Sequence, residues 1–175
     1  MTAIRLTRAR ILRLFRLLDA ELRRAGVSGE LLVVGGAVMC LALDARASTA
    51  DVDALLRPAS EVRKAAARVA ARAGVPERWL NDAVKGFLGP RNAFDRFLDL
   101  PNLRVLVASP RYPLAMKCVA LRLGPEFHDL EDARYLLRHL GIESAEEALA
   151  VVREYFDDVR IPAKTRLALE EMLGG

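Results

Sequence analysis

The residues best suited to chemistry lie in two short runs. Val33-Val34-Gly35-Gly36-Ala37 ends an apolar stretch on a glycine pair, and twelve residues beyond that pair Thr49-Ala50-Asp51-Val52-Asp53 sets two carboxylates in alternation. A glycine pair between a buried strand and a helix allows a tight turn and places N–H groups at the helix start. Those donors and the helix dipole favour an anion, typically phosphate. On a strand, residues i and i+2 point to the same face, so Asp51 and Asp53 stand close together. Two like charges at that separation are costly unless a cation lies between them. Hard oxygen donors of this kind suit Mg²⁺, which binds through one or two carboxylates plus substrate phosphates. A phosphate cradle at Gly35 and Gly36 beside a Mg²⁺ clamp at Asp51 and Asp53 predicts phosphoryl or nucleotidyl transfer.

A second group lies downstream. Lys117 is one of four lysines and sits in the apolar run Pro113-Leu-Ala-Met-Lys-Cys-Val-Ala-Leu. A lysine among packing side chains needs a carboxylate or a ligand phosphate, unless it snorkels along the helix edge. In His128-Asp129-Leu130-Glu131-Asp132, the two aspartates at i and i+3 open a helix, where they also serve its dipole as a capping pair. Arg46, just before the acid pair, reads equally as facing a triphosphate or as a surface arginine. Lys85 and Arg91 read better as loop surface than as cleft residues. Trp79 reads as packing, Asn81-Asp82 as a solvated face, and His139 as a helix C-terminal cation.

The elements that must position these groups follow from periodicity. Ile11, Leu14, Phe15, Leu18 and Leu22 recur at helical spacing, which predicts an amphipathic helix over residues 5–25, stopped at Gly26. Glu30–Val34 and Asp51–Leu56 are expected strands, with a buried helix over Ala37–Asp44 between them. Ser60 is expected to cap a helix running to Arg72, and Pro76 to open a short helix through Trp79 and Val84. Phe97–Leu100 and Leu103–Val107 suit two strands around Pro101-Asn102. Helices are expected over Tyr112–Leu123, Leu130–Leu140, Ser144–Phe156 and Ala163–Leu173. The expected fold is α/β (α+β): a βαβ-like small mixed sheet flanked by helices over residues 1–109, and an all-helical layer over 110–175, packed as a single compact unit.

The spacing Gly-Gly-(x)n-Thr-x-Asp-x-Asp resembles the signature of the DNA polymerase β-like nucleotidyltransferase superfamily. More narrowly, the chain is similar to the minimal nucleotidyltransferases that include AbiEii-type and MenT-type toxins of bacterial toxin–antitoxin systems. Pro110, Leu114-Ala115-Met116-Lys117, Arg122 and His128–Asp132 resemble that family's second block, and the resemblance spans roughly residues 30–140. It implies that Asp51 and Asp53 bind the metal, that Thr49 sits beside the nucleotide as a site of inhibitory modification by an antitoxin, and that Lys117 contacts the phosphates. The later functional acid matches Asp129 or Asp132, with Asp129 slightly favoured. The chain departs from the pattern in two places. A third metal carboxylate has only Asp99 as a weak candidate, and His128 stands where related sequences carry Lys or Arg.

With 175 residues, 53% of them hydrophobic and 29% charged, the chain excludes a disordered tail, a collagen and a disulfide scaffold. Cys40 and Cys118 lack metal-ligand spacing and read as buried thiols in a reducing compartment. The longest apolar stretch, Leu31–Leu43, has 13 residues, short of the roughly 20 a membrane span needs. The Arg-rich start lacks Ser, so a transit peptide is set aside and a cytoplasmic location is expected. Residues 1–24 hold seven arginines against Asp19 and Glu21, while the other 151 residues carry 20 basic against 21 acidic groups. A basic helix on a near-neutral body suits a polyanion such as RNA or DNA. Together these readings predict a Mg²⁺-dependent nucleotidyltransferase that moves an NMP from an NTP to an acceptor hydroxyl. The toxin resemblance and the basic first helix point to the 3′ end of tRNA as acceptor, with a protein or small molecule as the alternative acceptors, and the same resemblance implies a cognate antitoxin as partner. The alternatives are a catalytically decayed nucleotide-binding module and a protein that works through protein contacts alone.

Overall fold

The computed structural model describes residues 3–122 and 128–174. The chain divides into two compact units, one made of residues up to 86 with 94–108, the other of 87–93 with 109–175.

In the first unit, β1 (Leu6–Thr7) leads into α1 (Arg8–Arg24), followed by β2 (Gly29–Val34), α2 (Gly36–Leu41), β3 (Ser48–Thr49), β4 (Val52–Arg57), α3 (Ala59–Ala73), β5 (Leu80–Asn81), β6 (Phe94–Asp99) and β7 (Leu103–Ala108). Five strands form a mixed sheet in the order β5-β4-β2-β7-β6, and β1 pairs with β3 separately. α1 and α3 cover one face of the sheet. A Cβ on Gly29 would meet Leu22 at 2.8 Å and Val62 at 3.1 Å, so Gly29, Leu31 and Val33 face those helices. By alternation Glu30, Leu32 and Val34 face the other way.

Local chemistry explains the helix ends. Thr7 caps α1 by accepting from Arg10 N, and Arg23 and Arg24 occupy its last turn, where cations suit the dipole. Ile11, Leu14, Phe15, Leu18 and Leu22 form its buried stripe. Each such side chain contributes roughly 1.5–3 kcal/mol when fully buried. Trp79 is buried against Phe15 (ring centroids 6.5 Å apart) and donates from Nε1 to Ala66 O at 3.0 Å.

Several sequence expectations are corrected. β2 and β4 run antiparallel, so the unit around the glycine pair is not βαβ-like; the parallel strand–helix–strand unit is β4–α3–β5. A parallel crossover needs a long return element, whereas α2 spans only Gly36–Leu41 and β3 precedes the turn back. Helix α3 starts at Ala59 with Pro58 as its N-cap, which puts Ser60 in the first turn instead of at the cap. The helix expected from Pro76 is two 3-10 turns, Glu77–Trp79 and Ala83–Phe87, with β5 between them.

The second unit is helical: α4 (Arg111–Val119), α5 (Asp129–His139), α6 (Ala145–Tyr155) and α7 (Ala163–Met172). α4 packs on α5 and α6, and α6 on α7. The Tyr112 ring lies 5.0 Å from Tyr155 and 6.4 Å from Phe156. Ser144 caps α6 by accepting from Glu147 N, and Thr165 Oγ1 donates to Cys118 O at 2.6 Å. α4 ends at Val119, before the expected limit; Leu123 lies outside the described residues. Cys40 and Cys118 are both buried free thiols, and burial pushes Cys118 up to about 12.

Candidate active site

Gly35 ends β2 with φ +67°, a left-handed conformation that favours glycine. A Cβ there would meet Asp53 Oδ2 at 3.0 Å. Gly36 opens α2, and a Cβ on it would meet an Arg46 guanidinium nitrogen at 2.5 Å and Thr49 Oγ1 at 3.1 Å. The turn therefore has room for a carboxylate on one side and a guanidinium on the other because both residues lack side chains. Val34 pairs with Asp53 across β2 and β4, which fixes the acid beside the turn. Gly35, Gly36, Arg46, Thr49 and Asp53 meet here, with Asp51 two residues before Asp53 along the chain. Because α2 has only six residues, little helix dipole reaches the turn, and Arg46 is its main positive charge.

Asp51 immediately precedes β4. Its Oδ2 accepts from Asn81 Nδ2 at 3.2 Å, and Asn81 stands opposite Asp53 in the β4–β5 register. Burial raises the Asp51 pKa above the ordinary carboxylate value and the Asp53 charge raises it further; Arg78, the Asn81 hydrogen bond and Arg5 pull the other way. A carboxyl held up by a like-charged neighbour is one that a cation would relieve. The donors are hard oxygens, and among the described residues no group of three or more His, Cys, Asp or Glu assembles as a metal site. Two carboxylates would suit Mg²⁺ shared with substrate phosphates, and would not serve a metal needing an all-protein cage.

Asp99 does not supply a third carboxylate there. It pairs with Arg104 in register, Arg104 with Glu30, and Glu30 with Arg57, at the end of β2 remote from Val34, about 13 Å along the strand. Its carboxylate is ion-paired with Arg96 and Arg104.

The residues Lys117, Asp129 and Asp132 belong to the second unit and form a cluster of their own. Lys117 Nζ lies 2.8 Å from Asp129 Oδ1 and 2.9 Å from Asp132 Oδ2. Arg122 adds a backbone N–H at 3.1 Å and its Nε at 2.8 Å to Asp129 Oδ2. Lys117 therefore has carboxylate partners and does not snorkel; its side chain is 14% exposed. Asp129 and Asp132 are 3% and 5% exposed, so they do more than cap α5. Burial opposes the charged form of Asp129, but hydrogen bonds from Arg122 and Lys117 outweigh it and hold the carboxyl down at about 2.

Other expectations fall on the surface. Lys85 pairs with Asp82 at 2.9 Å, and Arg91 Nε donates to Glu154 O at 2.6 Å. His128 Nδ1 lies 3.1 Å from Glu131. Sequence reasoning missed Asn81, Arg5 and Arg78 as neighbours of Asp51. A two-residue strand such as β5 has too short a pattern to read, and its pairing with β4 is tertiary. Among the described residues no helix is long and apolar enough to cross a membrane. Compared with family models, with curated proteins and with solved structures, the chain finds no match in any of the three.

Proposed function

We propose that this chain is a Mg²⁺-dependent nucleotidyltransferase that transfers an NMP from an NTP to an acceptor hydroxyl, with the 3′ end of an RNA such as tRNA as acceptor. One observation carries the reading: a glycine that admits Asp53 and a glycine that admits Arg46 meet at one strand-to-helix turn, with the like charge of Asp51 acting beside Asp53. Asp51 and Asp53 would hold Mg²⁺, which when bound offsets the charge of the triphosphate. The Gly35–Gly36 turn lets the backbone approach the phosphates, and Arg46 faces them with a fixed positive charge. The acceptor oxygen forms a bond to the α-phosphorus, the bond from that phosphorus to the bridging oxygen breaks, and pyrophosphate leaves with that electron pair. The proton of the acceptor hydroxyl passes to solvent or to a carboxylate. Contact of Lys117 with phosphate, modification of Thr49, and membership of a toxin–antitoxin pair rest on the family resemblance alone.

The test is incubation with α-labelled NTPs and total RNA. Label moves to RNA with the wild-type chain and is lost in Asp51→Ala. Growth arrest on expression, relieved by the same substitution, supports the toxin role. A second reading, a nucleotide-binding module without catalysis, is favoured by the commitment of Asp99 to Arg96 and Arg104. It predicts NTP binding with no label transfer from any NTP.

A further inference from the structure

The two helices covering the back of the sheet, α1 and α3, carry ten basic groups against three acids, in a chain of net charge +4. The basic excess belongs to this layer, and the rest of the chain is slightly acidic. On α1, Arg10, Arg13, Arg16, Arg23 and Arg24 fall within about 140° of arc, away from the buried apolar stripe. Arg13, Arg16 and Arg23 are exposed and have no ion-pair partner among the described residues.

Beside this stripe a buried acid fixes three more guanidiniums. Glu21 is 3% exposed, and its carboxylate meets Arg24 at 2.6 Å, Arg72 at 2.7 Å and Arg68 at 3.0 Å. Burial opposes its charge, but the Arg68 hydrogen bond and the charges of Arg72 and Arg24 prevail and lower its pKa. One carboxylate thus anchors three side chains that are each about half exposed, and they retain two net positive charges. Arg presents a planar fork that pairs with phosphate bidentately. A lipid surface is the weaker match, because a membrane-lying helix buries its apolar face in lipid and the stripe of α1 is buried in the protein instead.

The stripe also has a direction. α1 has 17 residues, about 25 Å of helix. Its start adjoins β1, where Leu6 pairs with Thr49 and Arg5 donates to Ser48 O at 3.0 Å; Arg5 is also among the charges acting on Asp51. Its end lies at Leu22 against Gly29, the other end of β2.

We propose that the α1/α3 layer docks the phosphodiester backbone of an RNA, with phosphates along Arg10, Arg13, Arg16 and Arg23 and on the trio held by Glu21. The track brings one end of that RNA to the Asp51 end of the sheet. The proposal rests on the nucleotidyltransferase reading and adds the surface on which its RNA acceptor would be held.

The experiment measures binding of a fluorescent RNA hairpin with a single-stranded 3′ end to the full chain, without NTP, across a salt series. Arg13→Glu/Arg16→Glu is expected to weaken binding more than tenfold and to lower the salt slope by about two, while Arg138→Glu in the last turn of α5 binds as wild type. Arg13→Gln/Arg16→Gln, which removes charge without reversing it, keeps the test alive if the first variant folds poorly; it should cost about tenfold. Equal binding by wild type and both arginine variants overturns the docking face, whatever the NTP turnover. Binding to phosphatidylserine vesicles that exceeds binding to RNA, and is lost in the same variants, also overturns it. RNA held through these arginines by a chain that transfers no nucleotide keeps the face and removes the transferase.

Discussion

Two pairs of aspartates in this molecule have opposite electrostatics. At the glycine turn, burial and the charge of Asp53 raise Asp51 above its ordinary pKa. In the helical unit, Asp129 is more deeply buried than Asp51, yet Arg122 and Lys117 bring it down to about 2. Sequence spacing does not separate them, since both are acids a few residues apart at the start of an element. What separates Asp51 from Asp129 is the balance: hydrogen bonds and charges outweigh burial at Asp129 and fall short of it at Asp51. The Lys117–Asp129–Asp132 cluster is neutralised by its own chain and is suited to hold structure. At Asp51 the neighbouring Arg78 and Arg5 do not outweigh burial and the charge of Asp53, and a cation placed against that carboxyl would lower its pKa.

The largest test of this contrast is catalytic. Asp53→Ala should lower NMP transfer by at least about 100-fold, with thermal unfolding nearly unchanged, as followed by label transfer and calorimetry on one preparation. Asp129→Asn should invert that ratio on the stability side. Breaking a buried, hydrogen-bonded pair costs about 3 kcal/mol, measurable by urea unfolding; a cost under 1 kcal/mol would mean the cluster is not the structural member of the comparison.

The pH dependence sharpens the same point. Because Asp129 is depressed in the folded chain from an ordinary value of 3.8 to about 2, its contribution is fully present above pH 4. It is lost as pH falls through that window, by about 2 kcal/mol. Asp129→Asn should flatten stability between pH 4 and 2. The smallest effect has the opposite sign. Asp51 is raised, so the folded state favours its proton, and the penalty of ionising it is present at neutral pH and absent well below its unfolded pKa. Asp51→Asn should therefore raise Tm at pH 7 by about 2 °C. Added Mg²⁺ should raise the Tm of the wild type and leave that of the variant unmoved.

The contrast was half legible in the sequence. The glycine pair and the alternating acids announce themselves because both depend on local geometry. Lys117 announces its need for a partner because an ammonium in an apolar helix is costly. That the partners are Asp129 and Asp132 requires α4 to pack on α5, a fact no periodicity contains. The same holds for Asn81, which reaches Asp51 only through a two-residue strand, and for the antiparallel return of β4, decided by a helix shorter than its apolar run suggested. Asp99 was misleading for a related reason. Position along a strand is set by register, and its register places it among arginines at the far end of the sheet.

In the first turn of a helix, exchanging glycine for alanine ordinarily narrows the conformations open to the unfolded chain, so less entropy is lost on folding and the protein gains roughly 0.4–1 kcal/mol. At Gly36 the added methyl would land 2.5 Å from the guanidinium of Arg46. A routine thermostabilising exchange would thus shift the Arg46 guanidinium away from Gly36, so stability gained at that position comes with a displaced positive charge beside the turn.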